Sequence, residues 1–233
     1  MAALLLGFVS LAAGWRWALL LVLYFIGAVA LSKFGARTKE QRVGGVVEKG
    51  GHRDAAQVFA NGGIFGILAI AYVALPSPLW LWGALASLSA SSADTWATEI
   101  GTLYGGVPRS ILNRTNVRIG MSGGVTFAGT LGGIAGALYV ALLGALLGWP
   151  NGAALACLAG GVAGMLADSL VGATLQEQRW CDRCNEPTER HEHQCGAMTR
   201  HTSGVRWIRN DFVNLTATAV GACVGMIGAV WLG

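Results

Sequence analysis

Charged side chains are scarce in this sequence. Asp, Glu, Lys and Arg make up 12% of the 233 residues, whereas hydrophobic residues make up 54%. A soluble domain carries about 25% charged residues, so this composition excludes an ordinary water-soluble enzyme. The 35 glycines follow no Gly-X-Y period, which excludes collagen and favours closely packed helices in lipid.

The net charge of +4 does not indicate a nucleic-acid partner. Of the sixteen Lys and Arg residues, only Arg16 lies outside three segments, 33–53, 109–118 and 179–209. A nucleic-acid surface needs basic residues gathered on one solvated face. Here the basic segments alternate with apolar runs, as in a protein embedded in a lipid bilayer.

Six apolar runs approach or exceed the roughly 20 residues that cross a bilayer. They are 17–32, 55–75, 79–100, 123–148, 153–175 and 212–232. Residues 1–13 are apolar but short, and we expect a tilted or half-inserted helix there. Uncharged turns at 76–78 and 149–152 place all three basic loops on one side, which the positive-inside rule makes cytoplasmic.

The predicted fold is therefore all-α, a single integral membrane domain over residues 1–233. It is a polytopic transmembrane helical bundle with six full spans, a short N-terminal apolar helix and Gly-rich cytoplasmic loops. The expected location is a prokaryotic plasma membrane, and the oligomeric state is left open.

Four acidic residues lie within or at the ends of apolar runs. Asp94, Glu99 and Asp168 are inside the runs, and Asp211 begins the last one. Ionised groups in a membrane span are costly and usually functional. Because oxygen ligands beside phosphates suit Mg²⁺, these carboxylates predict a magnesium site. The alternative is that they pair with loop arginines at the interface.

Two loops combine glycine with basic residues. Glycine lets a ligand approach the backbone, and exposed amides at a helix start attract anions, so the first loop predicts a phosphate site. Its candidates are Lys33, Gly44, Gly45, Glu48, Lys49, Gly50, Gly51 and Arg53, with Asn61 in the next helix. The second loop ends in Ser122, Gly123 and Gly124, where we expect Ser122 to cap a helix. The alternative is that these loops serve membrane topology alone.

The third loop, residues 177–210, is rich in Cys and His. A Cys-x-x-Cys pair followed by further Cys and His suits tetrahedral Zn²⁺. The expected ligands of this structural zinc knuckle are Cys181, Cys184, Cys195 and one histidine, His201 or His193. Free thiols or a redox pair are the alternatives.

Five segments together resemble one integral membrane family. They are 44–61, 92–101, 122–130, 167–173 and 210–214, with the Ala-Asp-Thr-x-Ala-Thr-Glu run at 93–99 as the most specific. The family comprises the phytyl-phosphate kinases of the plant and cyanobacterial vitamin E (tocopherol) pathway and uncharacterised transmembrane relatives. The resemblance covers nearly all of the chain after Leu31.

The resemblance implies a kinase that phosphorylates an isoprenoid monophosphate, such as phytyl or geranylgeranyl phosphate, to the diphosphate. CTP or another nucleoside triphosphate would be the donor, with Mg²⁺ as cofactor. We expect Asp94 and Glu99 to hold Mg²⁺, with Asp168 and Asp211 as further candidates that bind the metal or support its ligands. The implied phosphate-neutralising residues are Lys33, Lys49 and Arg53. The implied oxygen-positioning residues are Asn61, Ser122 and Asn214.

Other activities fit the same residues. A CTP-dependent polyprenol kinase or a lipid-phosphate cytidylyltransferase would use similar groups. A transporter or flippase would instead place polar residues near the middle of the bilayer. Since the carboxylates lie at one end of their helices, an enzyme with its active site facing the cytoplasm is favoured.

Overall fold

The computed structural model describes residues 1–47 and 54–232. The sequence candidates Glu48, Lys49, Gly50, Gly51 and Arg53 lie outside the described residues, so their roles stay predictions. The helices of the described part are α1 (Ala2–Ala13), α2 (Trp15–Lys33), α3 (Ala36–Val43), α4 (Ala55–Ala74), α5 (Pro78–Tyr104), α6 (Phe127–Leu146), α7 (Asn151–Thr174) and α8 (Asn210–Leu232).

Two small antiparallel sheets form in the loops. β1 (Arg109–Ser110) pairs with β2 (Gly124–Val125) in the second loop. The third loop holds β3 (Gln178–Cys181), β4 (Glu186–Thr188) and β5 (Arg200–Ser203), with β3 between the other two. The fold is mostly helical, as predicted.

Five helices of the described residues are long and apolar enough to cross a membrane. They are α2, α4, α6, α7 and α8, and each coincides with a predicted span. The predicted short helix at the N-terminus is α1, with 12 residues. The remaining predicted span is α5, which has 27 residues but is not in this apolar set.

The α5 helix carries more polar residues than the other long helices, and it is surrounded by them. Every residue from Leu81 to Ala93 is buried, and α4, α6, α7 and α8 all pack against it. Its serines find partners inside the bundle, as when Ser89 Oγ donates to the Ala137 carbonyl at 3.4 Å. A helix in this position meets little lipid, so it does not need an apolar surface.

Glycines permit the close approach of α5, α7 and α8. A Cβ atom on Gly164 of α7 would lie 2.3 Å from the Ala90 Cβ of α5. A Cβ atom on Gly221 of α8 would lie 2.7 Å from the same Ala90 atom. Small residues at helix crossings are the usual means of tight packing in membranes.

The α3 helix was not expected, because its sequence has no apolar period. Two of its own cationic side chains hold α3 in place by binding carbonyl groups at the C-terminal ends of α2 and α5. Lys39 Nζ donates to the Leu31 and Ser32 carbonyls at 2.9 and 2.8 Å. Arg42 Nη1 donates to the Thr102 and Leu103 carbonyls at 2.9 and 2.8 Å. Part of the first basic loop therefore stabilises the fold.

We predict that Gly164→Ala destabilises the bundle by about 1–3 kcal/mol, since the added methyl overpacks the α5–α7 contact. The matched control is Gly63→Ala in α4, where the nearest heavy atom to the added Cβ is 3.9 Å away. Thermal unfolding of purified protein should show a lower Tm for Gly164→Ala only. Equal Tm values for the two variants would contradict the packing described.

Candidate active site

A pocket of about 160 Å³ lies where α5, α6 and α7 meet the second and third loops. Its wall is made of polar side chains and glycine-rich backbone. The polar side chains are those of Asp94, Thr98, Thr102, Ser122, Thr126, Thr130, Asp168, Ser169, Glu189 and Asn210. Among the sequence candidates, Asp94, Asp168, Ser122, Gly123 and Gly124 are brought together here.

Helix periodicity explains which α5 residues reach the pocket. Asp94, Thr98 and Gly101 line it, and residues spaced by three or four share a helix face. From α7, Met165, Asp168 and Ser169 reach the same space. The two helices thus direct one carboxylate each into the pocket.

The side chains of Asp94 and Asp168 line the same pocket and are close enough for their carboxyl groups to interact. Two carboxylates hold this position only with a proton or a cation between them, because like charges repel. Asp168 Oδ1 is buried and has no hydrogen-bond donor among the described residues. An acceptor oxygen in this state, beside a second carboxylate, fits a hard divalent cation such as Mg²⁺.

Glu189 is a pocket residue that the sequence analysis missed. Its Oε1 accepts from the Ser122 amide at 2.7 Å, and its Oε2 accepts from Gln176 Nε2 at 2.9 Å. Both bonds hold the buried carboxylate at the pocket wall. In the sequence it stands in a charged loop, where no pattern separates it from its solvated neighbours.

The second glycine-rich loop forms a wall of the pocket through its backbone. Gly123 has a φ of +78°, and a Cβ atom there would lie 2.3 Å from the Ala173 Cβ. The expectation that Ser122 caps a helix is wrong. Thr126 caps α6 instead, accepting from the Gly129 amide at 2.9 Å, because β2 intervenes between Ser122 and the helix.

Glu99 lies outside the pocket. It is five residues from Asp94, which is about 140° around the helix, so it faces α2 and α3 instead. Its Oε1 accepts from Ser32 Oγ at 2.6 Å, and its Oε2 forms an ion pair with Lys39. The structure therefore does not bring this predicted Mg²⁺ ligand to Asp94.

Other sequence candidates lie near the pocket without lining it. Asp211 and Asn214 are in the first turns of α8, whereas their neighbour Asn210 does line the pocket. Gly44 accepts from Arg118 Nη2 at 3.4 Å, and Gly45 accepts from Thr188 Oγ1 at 2.6 Å. Val47, which follows them, lines the pocket.

Asn61 and Lys33 are placed elsewhere. Asn61 Oδ1 accepts from Ser91 Oγ at 2.8 Å, and Ser91 Oγ lies 2.7 Å from the Tyr24 hydroxyl. Asn61 therefore joins α4 to α5 and α2. Lys33 is exposed at the end of α2.

The four groups Cys181, Cys184, His193 and Cys195 form a separate cluster, with ligand atoms all within 4.8 Å of one another. His201 is not part of it, because its Nε2 lies 3.1 Å from the Gly204 carbonyl. Of the two histidines that the sequence offered, the structure thus selects His193 and corrects the choice of His201.

Hydrogen bonds within the cluster shift the pKa values of its thiols. A hydrogen bond with His193 lowers the pKa of the Cys195 thiol to about 6. A hydrogen bond with Cys195 raises the pKa of Cys184 to about 11.

The chain is similar in sequence to proteins from three kinds of organism. The chain is 35% identical over 137 residues to an uncharacterised membrane protein of Synechocystis. That match covers 57% of this chain and 52% of the relative. It is 33% identical over 145 residues to an uncharacterised membrane protein of Methanocaldococcus jannaschii, covering 61% of this chain and 58% of the relative.

A third relative is Protein VTE6, chloroplastic, of Arabidopsis thaliana, 29% identical over 215 residues. That match covers 90% of this chain and 57% of the relative. The chain thus spans about half the length of the curated relatives it matches. No solved structure matches it. The model of one family, described as integral membrane protein DUF92, matches residues 1–222, and the chain belongs to that family.

Proposed function

We propose that this protein is a membrane phosphotransferase that converts an isoprenoid monophosphate to its diphosphate. The donor is CTP or another nucleoside triphosphate, and the acceptor is of the phytyl or geranylgeranyl phosphate class. The observation that carries the proposal is the placement of the Asp94 and Asp168 side chains in one pocket walled by glycine-rich backbone. The motifs shared with the phytyl-phosphate kinase family support the substrate class.

Phosphoryl transfer mainly requires positioning and charge neutralisation. Asp94 and Asp168 fit a Mg²⁺ ion, which when bound neutralises charge on phosphate oxygens. The Thr98, Thr126 and Ser169 hydroxyls line the same space and are suited to donate to phosphate oxygens. Lys49 and Arg53 remain the proposed phosphate cations, since Val47, which lines the pocket, precedes them in the chain.

The chemical step needs no strong base. An oxygen of the acceptor phosphate, already ionised, forms a bond to the γ-phosphorus as the bond from that phosphorus to the β-bridging oxygen breaks. The products are the isoprenoid diphosphate and a nucleoside diphosphate. The task of the protein is therefore to align the two phosphates and to exclude water.

The isoprenoid tail can remain in the lipid while its phosphate enters the pocket. Thr130 of α6 lines the pocket, and Phe127 and Leu131 beside it are 80% and 51% exposed. Lipid tails and apolar side chains are similarly apolar, so an isoprenoid chain can lie along this flank without leaving an apolar environment. We place the tail along this flank of α6.

Contacts among the loops support a common orientation for them in the membrane. Arg118 Nη1 of the second loop donates to Glu186 Oε2 of the third at 2.6 Å, and Thr188 binds Gly45 of the first. All three loops therefore lie at one end of the bundle. We propose that α4 crosses away from this end and that α5 returns to it as a sixth span, and the positive-inside rule supports a cytoplasmic location for the end.

Product analysis tests the proposed reaction. We expect purified protein in lipid nanodiscs to form geranylgeranyl diphosphate and a nucleoside diphosphate from geranylgeranyl phosphate, Mg²⁺ and CTP or ATP. Chelation of Mg²⁺ should abolish the reaction. Release of pyrophosphate would favour the cytidylyltransferase, phosphorylation of free polyprenol would favour the polyprenol kinase, and no turnover with any pairing would overturn the proposal.

Asp168→Asn should lower kcat/KM by about 100-fold or more, since it removes a charge that acts in the transition state. It should also raise the Mg²⁺ concentration needed for half-maximal rate. Glu40→Gln is the control, because Glu40 is exposed on α3. Unchanged kinetics in a folded Asp168→Asn protein would contradict the assignment of the pocket.

Glu99→Gln distinguishes the role of Glu99 from that of Asp94, the other carboxylate of α5. Because Glu99 is paired with Lys39 in a half-buried position, we expect a lower Tm with no change in the half-maximal Mg²⁺ concentration. A titration of activity against Mg²⁺, with thermal unfolding alongside, measures both quantities. A raised half-maximal Mg²⁺ concentration would show that Glu99 acts at the metal site.

A further inference from the structure

We propose that a Zn²⁺ ion binds Cys181, Cys184, His193 and Cys195, and that it fixes the wall of the pocket formed by the third loop. The four ligand atoms lie within 4.8 Å of one another. Cys181 Sγ is 3.6 Å from Cys195 Sγ, and His193 Nδ1 is 3.3 Å from the same sulfur.

These separations match a tetrahedral zinc centre. Zinc–sulfur and zinc–nitrogen bonds of ordinary length place sulfurs about 3.8 Å apart and a sulfur and a nitrogen about 3.6 Å apart. A disulfide needs a sulfur separation of about 2.05 Å, which the cysteines do not approach. Three thiols and one imidazole at this spacing are a complete donor set for a closed structural site.

His193 is enclosed where the cluster forms, and its Nδ1 faces the Cys195 sulfur. The residue is 2% exposed, and its Nε2 is buried without a hydrogen-bond partner among the described residues. Binding of a metal at Nδ1 requires the proton to be on Nε2, which lies 4.0 Å from Glu186 Oε2. This separation is longer than a hydrogen bond, so Glu186 places negative charge near the ring without a direct bond to it.

The loop also needs an ion for its own stability. Its three strands have four, three and four residues, which is too little to enclose a hydrophobic core. Loops of this size are commonly held by a metal, whose binding energy supplies the stability that packing lacks. Cys181 ends β3, and the other ligands follow in the connections between strands.

The cluster is joined to the pocket by a short series of contacts. At the end of β4, the Thr188 hydroxyl donates to the Gly45 carbonyl at 2.6 Å, and the Glu189 amide donates to the Val46 carbonyl at 2.9 Å. The Glu189 carboxylate in turn accepts a hydrogen bond from the Ser122 amide at 2.7 Å. The metal-held loop thus connects the first and second glycine-rich loops at the pocket wall.

Gly45 shows how closely the first loop approaches the cluster. Its φ is +83°, and a Cβ atom there would lie 2.9 Å from His193 Nε2. Any side chain at this position would therefore push against the buried imidazole. The presence of glycine is explained by this contact and by its backbone conformation.

Metal analysis of the full chain tests the site. Protein purified without chelators should contain about one zinc per chain by elemental mass spectrometry. Cys184→Ser should lower zinc occupancy about tenfold after dialysis. Cys184 is suited to this test because it is exposed, and Cys223→Ser in α8 is the matched control because Cys223 is also an exposed free thiol.

A second measurement needs no variant. Removal of zinc from folded wild-type protein should make Cys184 reactive to a thiol-alkylating reagent and should speed deuterium exchange at the Ser122 and Glu189 amides. Both effects should reverse when zinc is added. Protein without zinc that neither takes up the added metal nor gains protection, or a Cys181–Cys195 disulfide, would overturn the site. Zinc binding with unchanged exchange at both amides would overturn the link to the pocket.

Discussion

The placement of the Asp94 and Asp168 side chains in one pocket constrains much of this structure. It requires α5 and α7 to approach closely, and the glycines of α7 and α8 make room for that approach. It also requires a proton or a cation between the two groups, because two buried negative charges repel each other. A pocket that meets both requirements at the end of a lipid-embedded bundle is suited to phosphate chemistry at the membrane surface.

The loops complete the pocket through contacts between distant parts of the chain. Thr188 and Glu189 of the third loop bind the first loop, and Glu189 and Glu186 bind the second. Several basic residues of the loops serve the fold. Lys39 and Arg42 hold helix ends, and Arg118 joins two loops. Charge near the membrane thus has a structural use beside its effect on topology.

Much of this arrangement could be predicted from hydropathy, since each apolar run became a helix within a few residues of its expected bounds. The depth of Asp94 and Asp168 followed from the same runs, and the Cys-x-x-Cys spacing located the cysteine cluster. Glu99 was expected at the metal site with Asp94, although a five-residue separation turns it about 140° away; its pairing with Lys39 was not predictable because the α3 sequence has no apolar period. Spacing allowed both His193 and His201, and Glu189 is separated from its loop neighbours only by tertiary contacts.

The most direct test of the central claim is an X-ray anomalous difference map of crystals of the full chain grown with Mn²⁺ and a non-hydrolysable nucleoside triphosphate. Manganese replaces Mg²⁺ at oxygen sites and scatters anomalously. The account predicts a peak bound by both Asp94 and Asp168, with the nucleotide phosphates against residues 122–126. A peak at Glu99 or Asp211 alone, or bound nucleotide with no metal at the Asp94–Asp168 pair, would contradict it.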